Sequence, residues 1–251
     1  MSGHNHWLAL GEEALPPQEH WLAPGEAATL AGLRYTKRRT EFLLRRLVTK
    51  HAVASVTGRA TDAATLATME VRNAPGGAPY VCLDGVPIDV GVSITDRAGW
   101  AVCVTSRGEP PAVGCDLELV EARSPGFVSD FLTIAERGLV GSRVPGDERD
   151  AAINLIWSAK ESALKLLGTG LRRDTYTLEV TPHPPRADGW GALTVRAVEG
   201  TVFPGWWRRE GRFLLTVATP ASASPPAALG DPGLLAAAEP RHSWLNRPLY
   251  G

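Results

Sequence analysis

The sequence predicts an α/β (α+β) fold made of two successive helix-and-strand stretches. Apolar residues recur at helical spacing over residues 33–56 and again over residues 150–167, and short β-branched runs bounded by glycine and proline follow each segment. With 251 residues, 44% apolar and 21% charged, the chain can bury one or two ordinary cores.

Residues 1–30 hold Trp7, Trp21 and several prolines and read as an irregular opening with short strands. Leu43, Leu44, Leu47 and Val48 mark the apolar face of the first long helix, residues 33–56. Its other faces are basic: Arg34, Lys37, Arg38, Arg39, Arg45, Arg46 and Lys50 against Glu41 leave +6 within seventeen residues. A short helix is expected over residues 62–68, and Asn73-Ala-Pro-Gly-Gly-Ala-Pro79 reads as a turn. Strands are predicted over residues 88–95 and 100–105, flanking Asp96-Arg-Ala-Gly99, and over 112–120 after Gly108-Glu-Pro-Pro111.

Helical spacing returns over residues 127–139 and over 150–167, where Gly168 and Gly170 supply a left-handed stop. Strand-like runs over 193–198 and 213–219, separated by Phe203-Pro-Gly-Trp-Trp207, complete the second stretch. From Pro220 onward, six prolines in 32 residues indicate a tail with at most one short helix near Leu234, and Trp244 is expected to pack back on the body. No sequence repeat stands out. The expected organisation is an N-terminal half over residues 1–110, a C-terminal half over 111–220 and an Ala/Pro-rich tail over 221–251.

Twenty-six basic against 27 acidic side chains leave a net charge of -1, so no global field draws the protein to nucleic acid or an anionic membrane, and neither partner is expected. No apolar stretch approaches the roughly 18 residues of a spanning helix. The N-terminus has neither the basic start nor the apolar core of a secretory signal, which makes the cytoplasm the expected location. Cys82, Cys103 and Cys115 lack CxxC spacing and read as small core residues. The six histidines form no ligand spacing. Arginine outnumbers lysine 22 to 4, which draws attention to where Lys37, Lys50, Lys160 and Lys165 stand.

Two segments could carry chemistry. In Val113-Gly-Cys-Asp116-Leu-Glu118-Leu-Val120, strand alternation puts Asp116 and Glu118 on one face and Cys115, Leu117 and Leu119 on the other. Two such carboxylates either form the wet face of an ordinary strand or hold a cation between them, and a hard ion such as Mg²⁺ takes oxygen ligands of this kind. In Ile156-Trp-Ser-Ala-Lys160-Glu161-Ser-Ala-Leu-Lys165, the i, i+4, i+8 spacing lines up Trp157, Glu161 and Lys165 on one side of a helix. This is either a solvent-facing Glu–Lys pair or a partly buried polar stripe. Joined, the segments offer three carboxylates and a cation, with Lys160 or Lys165 as donor to a leaving phosphate. The arginine-rich helix adds forks suited to phosphate, and Arg39 and Arg46, seven apart, face the same way.

Gly114-Cys-Asp116-Leu-Glu118 followed by Trp157-Ser-Ala-Lys160-Glu161-Ser-Ala-Leu-Lys165 resembles the two signature motifs of the 4′-phosphopantetheinyl transferases, with Phe131-Leu-Thr-Ile-Ala-Glu136 similar to the segment the family has between them. Lys37-Arg-Arg-Thr-Glu-Phe42 with Arg46 looks like the family's coenzyme-binding helix. Ser93-Ile-Thr-Asp96-Arg-Ala-Gly-Trp100 aligns with its Ser-His hairpin. The likeness spans residues 33–219 and, by length, points to the monomeric branch with two similar α/β halves forming a pseudo-dimer.

The resemblance implies a Mg²⁺-dependent transferase that moves the phosphopantetheine arm of coenzyme A to a serine of an apo acyl or peptidyl carrier protein in polyketide or non-ribosomal peptide synthesis, releasing 3′,5′-ADP. Asp116, Glu118 and Glu161 would hold the metal. Glu161 would help deprotonate the serine, and Lys165 would stabilise the leaving phosphate. Arg38, Arg39 and Arg46, with Ser93, Asp96 and Lys160, would contact the coenzyme. The chain departs from the family at Asp96, where a histidine touching coenzyme phosphate is usual. It departs again near Gly76, where the usual basic residue has no evident counterpart and Arg72 is expected to substitute for it. Asp96 is expected either to turn away from the coenzyme or to pair with Arg97 or with an arginine of the basic helix. The alternative is a divergent homologue that binds coenzyme A or a carrier protein without efficient transfer, or with altered donor specificity.

Overall fold

A computed structural model describes residues 5–107, 113–241 and 245. The chain opens with β1 (His6–Gly11), followed by α1 (Pro24–Ala31), the long α2 (Thr36–Thr57) and the short α3 (Ala63–Ala67). The strands β2 (Met69–Asn73), β3 (Pro79–Leu83), β4 (Val86–Pro87), β5 (Gly91–Arg97) and β6 (Trp100–Ser106) come next. The order then begins again with β7 (Gly114–Leu119), α4 (Pro125–Phe131), α5 (Ile134–Gly141) and the long α6 (Asp147–Leu166). Strands β8 (Leu178–Pro185), β9 (Trp190–Ala197), β10 (Val202–Glu210) and β11 (Phe213–Ala218) follow, and β12 (Ala227–Ala228) and α7 (Gly233–Ala236) close the fold.

The strands form sheets ordered β12-β1-β6-β5, β7-β11-β10-β9-β8 and β2-β3-β4. Helix α2 packs on β1 and β6, and α6 packs on β7 and β11. Val48 and Ala52 of α2 share one buried cluster with Cys103 of β6, and Ile156 and Ala159 of α6 share another with Val195 of β9. The edge strands β5 and β7 belong to different sheets and meet through side chains. The Cys115 N–H donates to Ser93 Oγ at 2.8 Å and the Leu117 N–H to Thr95 Oγ1 at 3.2 Å. This seam holds β5 against the strand that carries Asp116 and Glu118.

One polar lock occurs twice, 110 positions apart. Glu26 of α1 accepts from the N–H of Ala23 and of Val71 in β2, and it pairs at 2.5 Å with Lys50 of α2, which also donates to the Trp21 carbonyl. Glu136 of α5 accepts from the N–H of Thr133 and of Val180 in β8, and it pairs at 2.7 Å with Lys160 of α6, which also donates to the Phe131 carbonyl. All four side chains are buried, so each charge depends on its partner and on the surrounding backbone dipoles.

Gly114 sits where α6 crosses β7. A Cβ there would lie 1.9 Å from the Ser162 carbonyl oxygen and 2.8 Å from the Leu166 nitrogen, both backbone atoms. Gly114→Ala is therefore expected to cost about 3 kcal/mol through overpacking, read as a lower urea midpoint at unchanged slope.

Several elements differ from the sequence expectation. The opening contains α1, and β2, β3, β4 and β8 were not anticipated. Residues 127–139 form two helices because Leu132 is extended and Thr133 starts a new helix by accepting from the Glu136 N–H, while Glu136 accepts from the Thr133 N–H. Phe203–Trp207 lies inside β10 and is not a connection. A Cβ at Gly205 would stand 2.2 Å from the Val217 carbonyl oxygen, so close strand approach calls for the glycine there. The stop after α6 follows the expectation, with Gly168 at φ +67° and its N–H donating to the Lys165 carbonyl while the Thr169 N–H reaches Leu164. The tail returns to the body: β12 pairs in parallel with β1, and Leu235 of α7 is fully buried in the core. Trp244 and Gly108-Glu-Pro-Pro111 lie outside the described residues. All three cysteines are buried and free. Among the described residues no helix is long and apolar enough to cross a membrane.

Candidate active site

Strand β7 presents Asp116 and Glu118 to α6, which presents Trp157, Ser158, Glu161 and Lys165 in return. Asp116 Oδ1 accepts from Lys165 Nζ at 2.8 Å and from Thr95 Oγ1 at 3.2 Å, while Oδ2 accepts from Ser158 Oγ at 3.0 Å. Lys165 also donates to the Cys115 carbonyl at 2.9 Å. Glu118 accepts from Trp157 Nε1 at 3.1 Å and from Arg123 at 2.9 Å, with Arg97 at 3.3 Å. Phe127 and Phe131 pack edge-on against Trp157 and wall this side.

The electrostatics follow from burial and from like charges facing one another. Burial, helped by the Asp116 carboxylate and then Glu118, pushes Glu161 up to about 7, against the opposing pull of Lys165. Burial and Asp116 likewise raise Glu118, with Arg97 and Arg123 acting the other way. Burial works against the charge on Lys165, but the Asp116 carboxylate beside it prevails and holds the ammonium above its ordinary value.

The three carboxylates were expected to form a metal cage. Among the described residues no three acidic, histidine or cysteine side chains are gathered as a ligand set. Asp116 is turned to Lys165 and Ser158, and Glu118 to Trp157 and two arginines, so these cations and donors do the balancing. The donor chemistry nevertheless suits a hard divalent ion. Glu161 Oε1 is buried without a hydrogen-bond partner, and the three carboxylates repel one another, as a bound cation would relieve.

Other expected coenzyme contacts lie elsewhere. Lys160 is fully buried in its lock with Glu136 and cannot reach a ligand beside Lys165. Arg46 stacks on Phe42 and turns to Glu26 and the Val71 carbonyl, and Arg39 donates to the Leu30 carbonyl and faces Glu19, so both serve α1 and its surroundings. Arg38 is exposed. Asp96 pairs with Arg45 of the basic helix at 3.2 Å, and burial raises its proton affinity against that pull. Arg97 is instead committed to Glu118 and Glu121. Arg72 pairs with Glu70 at 2.5 Å and does not replace the missing loop cation. Ser93 lines the same cleft as Lys165.

Sequence reasoning missed Thr95, Ser158, Thr216 and Arg123. Ser158 and Ser162 both bond Thr216 Oγ1, at 2.8 and 2.7 Å. Their spacing of 158, 162 and 165 continues the polar stripe to Lys165 inside an apolar helix, a signal the sequence contained. Arg123, which also donates to Asn154 Oδ1 at 2.6 Å, left no such trace.

Residues 112–217 match the family model described as the 4′-phosphopantetheinyl transferase superfamily. No curated protein matches the chain.

Proposed function

We propose, from the premise that residues 112–217 belong to the 4′-phosphopantetheinyl transferase superfamily, that the chain moves the phosphopantetheine arm of coenzyme A to a serine of an apo acyl or peptidyl carrier protein. The observation that carries this reading is the Asp116–Lys165 pair standing beside Glu161, whose Oε1 is buried and unpartnered. The serine oxygen forms a bond to the phosphorus on the pantetheine side of the pyrophosphate, and the bridging P–O bond breaks to release 3′,5′-ADP. Glu161, with its raised proton affinity, takes the hydroxyl proton. Lys165, kept charged by Asp116, offsets the charge that develops on the leaving phosphate. Asp116, Glu118 and Glu161 would hold Mg²⁺, which when bound neutralises pyrophosphate charge.

The reading extends to a cytoplasmic monomer whose two halves, residues 1–110 and 111–220, form a pseudo-dimer. The repeated Glu–Lys lock supports that relation. The carriers would be those of polyketide or non-ribosomal peptide synthases. The test is intact-mass spectrometry of an apo carrier protein incubated with the protein, Mg²⁺ and coenzyme A. A gain of one phosphopantetheine arm, absent for Glu161→Ala, is expected, and no gain across carrier types would refute the reading.

The Asp96–Arg45 pair favours one variation, altered handling of the donor. A carboxylate about 4 Å from a phosphate repels it by about 1 kcal/mol. Asp96→His is therefore expected to lower the KM for coenzyme A about fivefold, and an unchanged KM removes Asp96 from donor binding.

A further inference from the structure

We infer that Arg172 is the side chain that grips the phosphate end of the donor, an inference that rests on the transferase reading above. A cleft of about 290 Å³ lies between the turn at Gly76 and Gly77, strand β5 and the end of α6, and Ser93, Lys165 and Arg172 line it. Among the described residues its lining contains no Asp or Glu. Of its two cations, Lys165 is already committed to Asp116 and the Cys115 carbonyl. Arg172 is exposed, donates once to the Gly168 carbonyl at 3.0 Å, and has no carboxylate at ion-pair distance among the described residues. Its neighbour shows the contrast, since Arg173 makes a two-pronged pair with Glu199.

The backbone explains the placement. Gly168 and Gly170 both take left-handed φ, +67° and +51°, and the chain runs through a 3₁₀ turn at Gly170–Arg172 directly after α6. The facing wall, Gly76, Gly77 and Ala78, brings no side-chain charge, and Arg72 is held by Glu70. A guanidinium fork without an ion-pair partner, beside an ammonium in a cleft whose described lining holds no acid, is the chemistry that recognises a phosphate dianion or pyrophosphate. Arg172 thus supplies from the end of α6 a cation that faces this uncharged turn.

The test compares wild type, Arg172→Ala and Arg172→Lys by calorimetry with coenzyme A and with pantetheine, which has no phosphate, alongside transfer kinetics. Arg172→Ala is expected to weaken coenzyme A binding and raise its KM on the order of tenfold. The kcat, the melting temperature and pantetheine binding should be unchanged, and Arg172→Lys, which keeps the charge but not the fork, should recover only part of the loss. If wild type transfers the arm and Arg172→Ala binds coenzyme A equally well, the role of Arg172 is overturned and the transferase reading stands. If the variant loses coenzyme A and pantetheine alike, Arg172 acts through structure and the inference is again overturned. A wild type that neither binds coenzyme A nor transfers its arm overturns the functional reading, and this inference with it.

Discussion

Glu161→Gln is expected to lower transfer by at least about a hundredfold while the protein remains folded. The amide keeps the shape of the side chain and removes both its proton affinity and its negative charge. The two neighbouring carboxylates are not placed to take over, because Asp116 is tied to Lys165 and Ser158, and Glu118 to Trp157 and two arginines. Stability should move the opposite way. A carboxylate whose folded proton affinity is raised to about 7 from 4.5 binds more protons folded than unfolded in that interval. Without divalent cation, stability therefore falls as pH rises from about 4.5 to about 7, and Glu161→Gln should flatten that part of the profile. Single-turnover transfer and urea midpoints across that pH range read both effects. Near-normal transfer by the glutamine variant would exclude Glu161 as the base.

Lys160→Met is expected to destabilise the fold by about 3–5 kcal/mol, a large share of an ordinary domain's stability. Glu136 would keep its two backbone N–H donors, from Thr133 and Val180, but would lose the only cation it pairs with among the described residues. Glu136→Gln should cost a comparable amount, since it strands a fully buried ammonium. The double variant should be less damaging than the sum of the two, with a coupling of about 1–3 kcal/mol in a double-mutant cycle of urea denaturation. Additive losses would mean that the two charges do not sense each other. Lys50→Met should behave similarly through Glu26.

The reach of the sequence can be judged from the lysines. Their scarcity drew attention to Lys50, Lys160 and Lys165, and all three turned out to be ion-paired to acids. Only Lys165 joins the candidate site. Lys160 and Lys165 lie on one helix five residues apart, and which of them meets Asp116 depends on how α6 is rotated over β7. The recurrence of a Glu–Lys spacing of 24 residues, 26 to 50 and 136 to 160, was present in the chain but could not be recognised until both locks were seen to bind equivalent backbone groups. Likewise Arg39 and Arg46 were rightly placed on a common helix, but their partners belong to α1 and its flanks, a helix the sequence reading did not foresee.

By itself the sequence determined the α/β class, the two long helices, the opposed faces of β7 and the stripe of Trp157, Glu161 and Lys165. These are settled by periods of two and of 3.6 residues along a local stretch of chain. Only the tertiary structure decided that β7 and α6 face each other, that Asp96 meets Arg45, that Lys160 is closed off by Glu136 and that Arg172 shares a cleft with Lys165. Each of those outcomes depends on which strand edges meet and how a helix turns over a sheet, and these follow from burial and polar satisfaction summed across distant segments, which no local spacing encodes.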